Sequence, residues 1–139
     1  MNRNPSSDRA KTLISLGICG LAIIGAAILG VDDNPPGLVL AYVAAACFVF
    51  AFVHSWRSAR KFGLLTLASL VGFLIFALIH NIFEGFVFPI ATGLAKSVVE
   101  GISVAAFFLA VLISPAGFAV GLMGMVVMLI RKKFQRQRT

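Results

Sequence analysis

The chain has 139 residues, of which 60% are apolar and 12% charged, and a net charge of +7. Soluble domains carry roughly 45–50% apolar and about 25% charged residues, so this composition excludes a water-exposed globule and makes lipid the solvent. The basic residues sit in short clusters between apolar runs, without the aromatic platforms that base stacking needs, which argues against a nucleic-acid partner.

Four stretches lack Asp, Glu, Lys and Arg and are long enough to span, about 20 apolar residues being needed to cross ~30 Å of hydrocarbon. The first covers residues 12–31, behind a head with Arg3, Arg9 and Lys11. Its apolar run exceeds that of a signal peptide, and no small-x-small site precedes a polar start, so it reads as a retained span. Asp32-Asp33-Asn34-Pro35-Pro36-Gly37 reads as a tight turn. A residue before proline avoids helical angles, so the second helix is expected to start at Pro36. Its span covers residues 38–56 and ends at Trp56, an interfacial aromatic beside Arg57, Arg60 and Lys61.

The third span covers residues 62–83 and the fourth residues 101–130. Thirty residues of helix measure about 45 Å, more than the hydrocarbon requires. Pro115 lies inside this run and has to bend or break it. Two short helices would carry the basic tail to the opposite side, so one long helix bent near Pro115 is expected. Ser97-Val98-Val99-Glu100 matches a capping box just before the run.

Continuous apolar runs satisfy their backbone in lipid as helices, not as alternating barrel strands. The expected fold is therefore an all-α integral membrane protein, four transmembrane helices in an up-down antiparallel bundle. It forms a single domain over residues 1–139 with no soluble domain. Arg131, Lys132, Lys133, Arg136 and Arg138 follow the last span, and with the head and second connection they put 11 of the 12 Lys and Arg on one side. By the positive-inside rule both termini face the cytoplasm, in the plasma membrane of a bacterium or archaeon. The basic tail then rests on anionic headgroups. Gly117 and Gly121 form a G-x-x-x-G pair that Gly124 extends, a surface for helix packing or, more sharply, for a dimer.

At about 100° per residue, Thr66, Ser69, Ala77, His80, Asn81 and Glu84 share one face of the third helix. This stripe should face other helices, since ionisable groups are costly against lipid. His80 and Glu84 are one turn apart and can touch. Asp32, Asp33, His80, Asn81 and Glu84, with Glu100 nearby, fall on the outer side and form the candidate polar cluster, suited to a divalent cation or a proton relay. No spacing matches a metal motif, so no metal or cofactor is assigned. His54 and His80 belong to opposite leaflets: from Phe62 to His80 is about 27 Å of helix, which rules out one bis-histidine site. Cys19 and Cys47 lack C-x-x-C spacing and read as packing residues.

No catalytic motif is present, neither G-x-S-x-G nor H-E-x-x-H, and no catalytic residue is assigned. The expected function is an accessory or structural membrane component that binds lipid and either a membrane protein or further copies of itself. The alternative is a small transporter, or a cation- or proton-sensing protein, working through the polar cluster. An enzyme acting on lipids or quinones, with His80 as base, ranks last.

Overall fold

The computed structural model describes residues 5–31 and 34–137, so Asp32 and Asp33 lie outside the described residues. All regular structure within them is helical. Helix α1 spans Pro5–Leu29, α2 Pro35–Val53, α3 Ala59–Ile82, α4 Gly93–Phe108 and α5 Ser114–Arg136. A π-helical turn, Phe83–Val87, prolongs α3, and another, Leu109–Ile113, joins α4 to α5 without a break. Four of the resulting rods are long and apolar enough to cross a membrane: Ser6–Leu29, Pro35–Val53, Ala59–Val87 and Gly93–Gln135. The chain is a small all-α integral membrane protein.

The helices do not end where the apolar runs end. Loss of charge marks the edge of the lipid, whereas a helix continues wherever its next residue tolerates helical angles, and Lys, Arg and Glu do. Helix α1 therefore begins at Pro5, a residue suited to a first turn. It stops before Gly30, whose φ of +78° is the left-handed conformation that closes helices. Helix α2 begins at Pro35, one residue ahead of expectation, and the Asn34 side-chain amide donates to the Leu29 carbonyl across the turn. It ends at Val53, leaving Trp56 in the connection with its ring 5.5 Å from that of Phe62.

The fourth span departs furthest from the sequence reading. Ser97 and Glu100 lie inside α4, so their capping-box spacing does not mark a helix start. The start is at Thr92, in extended conformation (φ −131°, ψ 158°), followed by Gly93 at φ +56°. The 43 residues of Gly93–Gln135 make a rod of about 65 Å, roughly twice the hydrocarbon thickness. Pro115 does not end the helix. Its ring would collide with the carbonyl four residues back in a regular α-helix. The π turn just before it lengthens the bonding by one residue, and Leu109 O accepts both the Ser114 N–H and, at 2.8 Å, the Ser114 hydroxyl.

Packing relies on small side chains, as it must where lipid gives no hydrophobic push. Between α1 and α2, Cys19 and Ala22 meet Ala44 and Cys47, the Thr12 hydroxyl lies 3.4 Å from the Ala51 carbonyl, and Gly37 closes on Gly30. Between α3 and α5, Phe62 faces Gly124, Thr66 faces Gly121 and Ser69 faces Gly117. In both pairs the contacts rise along one helix as they fall along the other, so the helices run antiparallel where they touch. Helix α2 also rests on α5, and among the described helices the α1 backbone comes close to α2 alone. In the apolar window of Ala59–Val87 only 6% of the residues are fully buried by protein.

Candidate functional site

His80, near the end of α3, and Glu84, on its π extension, stand one turn apart, and α4 brings Ser103 opposite both. Ser103 is 2% exposed. Its hydroxyl donates to Glu84 Oε2 at 3.0 Å, while His80 Nδ1 lies 2.9 Å from that hydroxyl and 3.2 Å from the Ser103 carbonyl. A carbonyl oxygen only accepts, so the proton belongs on Nδ1, which donates to both oxygens. The hydroxyl, its own proton committed to Glu84, accepts. The chain thus runs from His80 to Ser103 to Glu84, and in neutral imidazole the Nε2 lone pair stays free of it. Phe107, one turn beyond Ser103, sets its ring 5.2 Å from the histidine ring. Glu84 is exposed and His80 half-buried, so the chain leads one helical turn inward from the surface.

Ser103 was not legible as a site residue. It is the one polar side chain between Gly101 and Ile113, and a single serine in an apolar helix is ordinarily a small packing residue. That isolation was the only signal. Asn81, by contrast, leaves the cluster: its amide donates back to Ala77 O at 2.7 Å in its own helix. Glu100 is exposed on α4. No group of three or more His, Cys, Asp or Glu side chains that could hold a metal ion comes together among the described residues.

The inner part of the α3 stripe meets α5. Thr66 donates its hydroxyl to Phe62 O at 3.0 Å. A Cβ added at Gly121 would sit 2.9 Å from Thr66 N and 3.0 Å from Phe62 O, so backbone meets backbone there. Above Gly117 the space is filled by side chain instead, the Ser69 hydroxyl and Cβ. The stripe accordingly divides in two, with hydroxyls sealed against glycines along α5 and an ionisable pair bridged by a serine of α4. His54 belongs to the other end of the molecule. Its Nδ1 lies 3.0 Å from Ala51 O, its ring packs near Phe50, and its Nε2 is buried without a hydrogen-bond partner among the described residues. It shares no contact with His80.

The direction of the hydrogen bonds limits the chemistry. A serine nucleophile needs a base that takes its proton. Here the imidazole donates to Ser103, so the group placed to take the hydroxyl proton is Glu84 and not His80. No family model, no curated protein and no solved structure matches the chain. Its function is read from this geometry.

Proposed function

We propose that the chain is an accessory component of the plasma membrane of a bacterium or archaeon. Both termini face the cytoplasm, and it binds lipid and a neighbouring membrane protein or further copies of itself. The observation that supports this reading is the sealed seam between α3 and α5. Thr66 and Ser69, both half-buried, face Gly121 and Gly117 so closely that an added Cβ would collide with their hydroxyls, so this part of the polar stripe is packed against α5. A component of this kind stays with its partner when its membrane is not dissolved. Extraction of native membrane into polymer-bounded discs should return the chain with a second membrane protein, or with copies of itself, in fixed proportion. Recovery of a lone monomer surrounded only by lipid contradicts the reading.

The His80–Ser103–Glu84 chain favours a second reading, in which the same component senses protons or cations at its outer face. On this reading His80→Ala and Glu84→Gln each abolish the measured flux or cation binding. Full activity in both variants removes it.

A further inference from the structure

Helices α1 and α5 do not pack on one another. Yet at the basic end of the molecule both line one cavity of about 750 Å³, together with the α2–α3 connection and the first turn of α3. Five cations converge on it: Lys11 from α1, Arg57 from the connection, Arg60 from α3, and Arg131 and Lys132 from α5. Among the described residues Asp8 is the only acidic side chain in the lining. None of the five forms an ion pair among the described residues, and Arg57 is steadied instead by donating to His54 O at 3.2 Å. Like charges gathered around one space repel, and a multivalent anion placed among them relieves that repulsion.

We infer that this cavity holds the phosphate headgroup of an anionic phospholipid, with a diphosphate headgroup preferred over a singly charged one. Guanidinium groups fork onto phosphate oxygens, and Ser55 and Ser58 add hydroxyl donors. A basic pocket between membrane helices is the geometry such headgroups use. Two features favour a lipid over free phosphate. Met128 and Leu129 give the cavity an apolar wall. Further along the molecule, α1, α2 and the Leu109–Ile113 turn line a second cavity of about 630 Å³, apolar in character, with room for an acyl chain. The inference reaches beyond general contact with lipid, because it assigns one bound molecule to named side chains, and it holds whichever side of the membrane the basic end faces.

Native mass spectrometry of the full chain in neutral detergent tests it, with cardiolipin, phosphatidylserine and phosphatidylcholine as probes. One cardiolipin per chain should be retained in preference to the other two. Removing a contributing charge should weaken binding roughly 5-fold, and removing two about 25-fold. The variant Arg60→Gln/Arg131→Gln should show that loss, and Lys11→Gln/Lys132→Gln should reproduce it, each with wild-type helicity by circular dichroism. The charge-matched control Lys61→Gln/Lys133→Gln alters two basic residues outside the lining and should bind as wild type. Equal loss in the control overturns the site in favour of diffuse attraction. Displacement of cardiolipin by an equal concentration of inorganic phosphate overturns the lipid assignment.

Discussion

Gly121→Leu will separate α3 from α5 and lower stability by about 3 kcal/mol, the upper part of the range for overpacked interiors. At Gly121 the nearest obstructing atom is the Thr66 hydroxyl, and behind it stand Thr66 N and Phe62 O, backbone groups that no rotamer change can move aside. The helices have to part along the seam, which also loosens Ser69 from Gly117 and Phe62 from Gly124. Gly121→Ala should cost about 1–2 kcal/mol, even though alanine is the better helix former by about 1 kcal/mol. Gly20 on α1 is the matched control, because a Cβ there meets nothing within 4 Å. Gly20→Ala should be neutral or slightly stabilising. Reversible unfolding in mixed micelles, followed by circular dichroism, reads all three variants. Equal tolerance of alanine at positions 20 and 121 would show that the seam is not tight.

Ser103→Ala will untie α4 from α3 at the far end. The substitution removes the donor to Glu84 and one of the two acceptors of His80 Nδ1, leaving the Ser103 carbonyl in place. Hydrogen bonds between membrane helices average about 0.6 kcal/mol and reach about 1.7, so the expected loss is about 1–2 kcal/mol. Glu84 is exposed and water replaces part of what it loses, which keeps the figure at the lower end. Ser103→Thr retains the hydroxyl and should recover most of the loss. In a double-mutant cycle, Ser103→Ala and Glu84→Ala should couple, because each removes the same bond. Independent, additive effects would mean that the Ser103–Glu84 bond does not contribute.

The fold was legible because lipid imposes a simple rule. A backbone that cannot bond to water has to bond to itself, so four uncharged runs meant four helices. The helix ends were not legible, since Glu84, Lys96 and Glu100 lie outside the apolar runs and are themselves good helix formers. Pro115 was recognised as a disturbance, but its remedy, a π turn that keeps the rod continuous, depends on how Ser114 bonds to Leu109 and leaves no mark in the sequence. The site was half legible. Helical periodicity put His80 and Glu84 on one face with Thr66 and Ser69, and that face does meet other helices. Periodicity could not say which helix each residue meets. That is why Ser103 was missed, and why the bond from the Asn81 amide back to Ala77 O in its own helix was not foreseen.

The proposed role depends on the α3 stripe being closed to water, and thiol labelling measures this directly. In a background carrying Cys19→Ala and Cys47→Ala, single cysteines are placed at positions 66, 69 and 84 and treated with a membrane-impermeant maleimide, first on intact cells and then on inverted vesicles. Glu84→Cys should react on intact cells, and Thr66→Cys and Ser69→Cys should stay unlabelled from both sides until the protein is unfolded. Labelling of Thr66→Cys in the folded protein at a rate near that of Glu84→Cys would reveal a water path along α3 and replace an accessory component with a transporter.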